Sequence, residues 1–133
     1  MRNARGCWKE AAMRYLALLA LPATAACATM PVPSSDQWAA LGEATRVGTV
    51  IVQPLRVIED SRCPMNARCV WAGRVTLEAK LEQGGRSRNV TLHSDTPLAV
   101  DGGVLAIDSI QPDSFMTNDK PEAADYRFHF AFQ

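Results

Sequence analysis

The chain lacks an apolar stretch long enough to cross a bilayer. Its main apolar run, Tyr15 to Ala26, is interrupted by Pro22 and falls short of the roughly 20 residues that spanning requires. A permanent transmembrane helix is therefore not expected. Charge of one sign is also missing, because 14 basic and 14 acidic groups cancel. Without a basic stripe to follow a phosphate backbone, nucleic acid is not an expected partner. Histidine is scarce, with only His93 and His129. No glycine-rich phosphate loop, cofactor signature or Gly-x-Ser-x-Gly nucleophile elbow occurs, so no cofactor is expected.

What is present begins with an address label. Arg14 precedes the apolar run, and the small residues Thr24, Ala25 and Ala26 lead into Cys27, the pattern of an export signal over residues 1–26. Translation from Met13 instead of Met1 would give a tidier signal and would omit Cys7. Leu21 to Cys27 resembles a bacterial lipobox, in which the cysteine thiol takes a diacylglyceryl thioether before cleavage; Thr24 departs from the preferred leucine. The expectation is lipidation at Cys27, with a membrane as partner through the anchor. Each buried methylene contributes about 0.8 kcal/mol, so several acyl chains hold a protein at a surface durably. The alternative is ordinary signal-peptidase cleavage, which leaves Cys27 as a free thiol in a soluble periplasmic or secreted protein. Ala28, where an aspartate would favour retention, resembles the outer-membrane lipoprotein pattern. Removing residues 1–26 leaves ten basic and thirteen acidic groups, a net charge of −3.

Residues 27–37, with Pro31, Pro33, Ser34 and Ser35, read as a flexible tether. Residues 38–133 read as a single β domain. The clearest strand is Arg74 to Glu82, where Val75, Leu77, Ala79 and Leu81 alternate with polar residues, giving one buried face and one wet face. Gly84 and Gly85 supply a tight reversal, and Ser87 to His93 returns as the partner strand. Upstream, Val50 and Val52 against Leu55 and Val57 imply that the buried face changes parity at Pro54 through a bulge or bend. Leu98–Val100 and Val104–Ile110 flank a second turn at Asp101-Gly102-Gly103. Tyr126, Phe128, Phe130 and Phe132 fall on one side of the last strand as a core-facing aromatic row. Short strands joined by turns, with no helical crossover, predict an all-β fold. The first choice is a small antiparallel β-sandwich and the alternative a small β-barrel.

The most distinctive stretch is Asp60-Ser61-Arg62-Cys63-Pro64, continuing to Cys69-Val70-Trp71-Ala72-Gly73. In an oxidising compartment Cys63 and Cys69 are natural disulfide partners closing a short loop. Zinc would need further ligands close by, and a redox dithiol usually has closer spacing at a helix start, so neither metal nor redox chemistry is expected. The stretch resembles the cysteine motif of a widespread group of small uncharacterised bacterial secreted proteins and lipoproteins. That resemblance implies a compact β domain in the cell envelope and no particular activity. Trp71 is expected to pack over the disulfide as a core plug, and Gly73 to let the next strand begin close by. Arg62, Arg68 and Arg74 converge with Ser61 on an anion in one reading. In the other, Arg62 pairs with Glu59 or Asp60 and pins the loop.

His93-Ser94-Asp95 holds the residue types of a hydrolase triad, but neighbours in an extended chain point to opposite faces. Asp101, Asp108, Asp113, Asn118 and Asp119 lack the spacing of a calcium loop. Ser114 to Asp125 is a long polar connection carrying Phe115 and Met116, and long loops are where binding concentrates. The expectation is that this loop, joined by the cysteine loop if the two share an end of the sandwich, forms a contact surface for a partner. The functional expectation is a non-enzymatic cell-envelope lipoprotein that binds an unknown protein or small-molecule partner. The alternative is an inhibitor of an envelope or foreign hydrolase, and a third reading is a hydrolase built on His93 or His129.

Overall fold

The computed structural model describes residues 35–133; the expected export signal, Cys27 and most of the expected tether lie outside the described residues. Eight strands form two four-stranded antiparallel sheets that face one another without closing into a barrel. The strands are β1 (Trp38–Ala40), β2 (Thr45–Val47), β3 (Val50–Asp60), β4 (Val75–Gln83), β5 (Arg86–His93), β6 (Leu98–Val100), β7 (Gly103–Gln111) and β8 (Arg127–Phe132). One sheet has the order β2-β3-β4-β5 and the other β1-β8-β7-β6. The fold is thus the sandwich expected from the alternation. Its only described helix is a single 3-10 turn at Ala123–Asp125.

The β4–β5 hairpin pairs in register from Thr76↔His93 to Gln83↔Arg86. Gly84 and Gly85 both adopt positive φ at its tip, a conformation that side chains with a Cβ rarely take. Val75, Leu77, Ala79 and Leu81 face inward with Val47, Val50, Val52 and Leu92; from the opposite sheet come Ala39, Leu105, Ile107, Phe128 and Phe130. Tyr126 and Phe128 stack at 5.9 Å between ring centroids, and Phe128 and Phe130 at 6.4 Å. Each fully buried leucine or phenylalanine contributes about 1.5–3 kcal/mol, which makes this two-sheet core the main source of stability.

β3 carries two bulges, not one. Register shifts fall between Pro54 and Arg56 and again between Val57 and Glu59, so Leu55 and Ile58 are the extra residues. The first shift accounts for the parity change read from the sequence, and Val57 packs against the core after it. Leu55 does not: as a bulge residue it is turned out to solvent, a correction to its expected inward position. The second shift returns the even positions to the inside and buries Asp60 at the end of the strand.

Candidate functional site

β3 and β7 both end, and β4 and β8 both begin, at one end of the sandwich. The two long connections, residues 61–74 and 112–126, come together there, which meets the condition set in the sequence reading. Met65 N–H donates to the Phe115 carbonyl at 2.9 Å, and Asn66 Oδ1 accepts from both the backbone N–H and the hydroxyl of Thr117 at 2.9 Å. Cys63 and Cys69 form a disulfide with Cα atoms 5.8 Å apart, closing the smaller loop.

Beneath these loops lies a charged buried network. Asp60 has a side chain 1% exposed and receives the Arg62 guanidinium in a forked arrangement, Nε to Oδ1 at 2.9 Å and Nη2 to Oδ2 at 2.7 Å. It also accepts the Tyr126 hydroxyl at 2.8 Å and the Arg62 backbone N–H at 3.1 Å. Burial pushes the Asp60 carboxyl up, but these hydrogen bonds and the adjacent positive charge together outweigh it and hold the carboxyl below its usual range. The Tyr126 hydroxyl is pushed up to about 12, first by burial and then by its bond to Asp60. Hydrogen bonding to Asp60 raises Arg62 further. Arg62 Nη1 reaches across to the Pro112 carbonyl at 2.8 Å, and its guanidinium lies 5.5 Å from the centre of the Phe115 ring. One arginine therefore ties both loops to the end of β3.

Arg62 and Arg74 are each turned to partners within the chain. Arg62 is engaged by Asp60 and Pro112, the Ser61 hydroxyl bonds the Arg74 carbonyl at 3.1 Å, and Arg74 Nη1 lies 3.6 Å from Asp95. Arg68 forms no ion pair among the described residues. The loop-pinning role expected of Arg62, with Asp60 as its partner, is the one the geometry realises. Gly73 sits at φ 69°, where a Cβ would fall 1.8 Å from the Ser61 carbonyl oxygen, so the close approach expected of it is real.

Trp71 is not a core plug. It is 82% exposed, beside Val70 at 86%, with Met65 and Met116 also exposed at the same end. The sandwich core is already filled by residues from both sheets, and the loop carries Trp71 outward. Phe115 is half-buried against Arg62. The loop end thus presents several exposed apolar side chains on a covalently and ionically braced support.

The candidate catalytic groups are spread apart. His93 Nδ1 lies 3.2 Å from the Thr76 hydroxyl, the Ser94 hydroxyl accepts the Val75 N–H at 3.0 Å, and Asp95 faces Arg74. His129 Nδ1 is 3.1 Å from Asp108 on the other sheet. Among the described residues no group of three His, Cys, Asp or Glu side chains comes together as metal ligands would. No family model, curated protein or solved structure matches the chain.

Two features of this site escaped the sequence reading. The Asp60–Tyr126 bond joins residues 66 positions apart, and no local pattern marks such a pair. The exposure of Trp71 had a faint signal in its neighbours, because Val70, Ala72 and Gly73 offer no alternation that would seat it against a sheet.

Proposed function

We propose that this chain is an exported cell-envelope lipoprotein, anchored through Cys27, whose β-sandwich is a non-enzymatic binding module with the braced loop end as its contact surface. The observation that carries this reading is the exposure of Met65, Val70, Trp71 and Met116 together on loops fixed by a disulfide and by the Asp60–Arg62–Tyr126 network. A domain gains nothing in stability by holding a tryptophan and a valine rigidly in water. Aromatic residues, methionine and arginine are the types enriched where proteins meet. The disulfide is compatible with an oxidising compartment, and the lipobox-like run before Cys27 supports an anchor.

The test is a photo-crosslinking residue placed at Met116 in the cell of origin, with Thr91 on the outer face of β5 as control. A discrete adduct from Met116 that is absent from Thr91, and lost when Val70 and Trp71 are replaced by serine in the same chain, supports the reading. Equal adducts from both positions sink it. A second reading, an inhibitor of an envelope or foreign hydrolase, is favoured by one observation: the cysteine loop is closed by a disulfide and holds Met65, Val70 and Trp71 exposed. Uniform silence against proteases and cell-wall hydrolases would remove it.

A further inference from the structure

The three most exposed large apolar side chains among the described residues are Val70, Trp71 and Met65, and all three stand in or directly after the ring closed by Cys63 and Cys69. Hydrogen bonds hold that loop in place: Met65 N–H donates to the Phe115 carbonyl, Asn66 accepts from Thr117, and the Ser61 hydroxyl bonds the Arg74 carbonyl. Residues 61–74 carry Arg62, Arg68 and Arg74 and no acid. Arg62 and Arg74 are turned to Asp60 and Asp95, and Arg68 forms no ion pair among the described residues. Three apolar side chains of this size offer a few hundred Å², well short of the roughly 800 Å² per partner of a standard protein interface. A bilayer asks for no matching surface. Tryptophan settles at headgroup level, apolar neighbours reach the acyl boundary, and arginine meets phosphate.

We infer that the cysteine loop is a second membrane contact, in which Trp71, Val70 and Met65 enter the headgroup region of an anionic bilayer and Arg68 pairs with lipid phosphate. The inference rests on the proposed anchor and contact-surface role and names the occupant of the loop end. The place where the chain enters the sandwich supports it. Trp38, in β1, lines one cavity with Pro112, Asp113 and Phe115 of the loop end. It lies eleven positions beyond Cys27, a span of at most about 40 Å. A domain anchored at Cys27 therefore keeps its cysteine loop within reach of the surface, at an effective concentration in the millimolar range. A contact too weak to recruit a free protein is then populated, and it decides which end of the sandwich faces the lipid. Asp113, Asp119 and Asp125 belong to the other connection, where they line the cavity with Trp38 and Lys120; the cysteine loop itself offers an anionic surface no like charge.

The test uses the mature chain isolated from its own cells and held through Cys27 on vesicles of phosphatidylethanolamine and phosphatidylglycerol, by its acyl chains or, where the thiol is free, by a maleimide lipid. Trp38 and Trp71 are the tryptophans beyond Cys27, so Trp71→Phe isolates the emission of Trp38. The expected result is emission shifted to shorter wavelength and quenched by brominated acyl chains, with both effects lost in Trp71→Phe. Val70→Ser keeps the fluorophore and should lower the ratio of inserted to free loop about 5-fold, with an unchanged far-ultraviolet spectrum. Arg68→Glu should lower that ratio about 10-fold on these vesicles and by less on phosphatidylcholine alone. Attached wild-type protein without quenching overturns the inference. So does quenching that persists in Trp71→Phe, or a ratio indifferent to both Val70→Ser and Arg68→Glu. Absent quenching beside a discrete Met116 adduct to another envelope component rejects the bilayer and leaves the contact-surface role standing. Absent quenching beside equal adducts from Met116 and Thr91 rejects both, as does a natural chain that still carries its leader.

Discussion

Replacing Arg62 by methionine keeps an unbranched stem of similar reach and removes the guanidinium, leaving Asp60 buried without its counter-charge. The wild-type pair is forked and nearly dry, with side chains 17% and 1% exposed. Breaking a buried pair by removing one partner costs about 3–5 kcal/mol, a large share of the 5–15 kcal/mol that holds a typical domain. With a urea slope of about 2 kcal/mol/M, a loss of 4 kcal/mol lowers the unfolding midpoint by about 2 M. The assay is equilibrium urea unfolding at 25 °C with the disulfide intact, followed by circular dichroism. The pH dependence is diagnostic. In the wild type Asp60 is depressed, so its stabilisation is full above the ordinary value of about 3.9 and is lost as pH falls through the folded value. In the variant, burial without Arg62 raises the carboxyl, so protonation relieves the penalty. The gap between the two proteins should therefore narrow from pH 7 to pH 3. Adding Asp60→Asn should recover part of the loss, because the orphaned charge is gone. A loss below about 1 kcal/mol at pH 7, or a gap that does not change with pH, would refute the assignment of Arg62 as the brace of the loop end.

Three further outcomes follow from the same geometry. Tyr126→Phe should cost about 1.5–3 kcal/mol by removing a hydrogen bond to a buried carboxylate. It should also abolish the fall in stability that the wild type shows as pH rises from about 10, the unfolded value, through about 12, the folded one; alkaline unfolding curves check both. Gly73→Ala places a Cβ against the Ser61 carbonyl and should destabilise by about 3 kcal/mol or more, read as a lowered thermal midpoint. Replacing Cys63 and Cys69 together by serine should cost about 2.4 kcal/mol, the chain-entropy value for a ring of this size, and should raise the susceptibility of residues 63–69 to protease.

Much of the sandwich was legible because its signals are local. Alternation over Val75–Leu81, two glycines at positions 84 and 85, and the spacing of Tyr126, Phe128 and Phe130 are each contained within a few residues. Strand identity and facing follow directly from a period of two. Leu55 was misplaced because it is itself the extra residue of the bulge expected at Pro54, and a bulged residue drops out of the alternation. Trp71 was misplaced because tryptophan is usually well buried, and residue type says nothing about whether the core has room left. The meeting of the cysteine loop with Phe115 and Thr117 was anticipated only as a shared end. The bonds that create it span about 50 positions, where sequence pattern carries no geometric information. Cys63 and Cys69 pair as their spacing and the export signal together suggested.

The claim on which the compartment, the anchor and the functional reading all depend is export to an oxidising envelope. Its most direct test is the intact mass of the protein isolated from its own cells under non-reducing conditions. The expected species begins at Cys27, carries acyl chains on that residue, and is lighter by two hydrogens than the dithiol form. A chain still bearing its leader from Met1 or Met13, unacylated and with the thiols of Cys63 and Cys69 free, would contradict it.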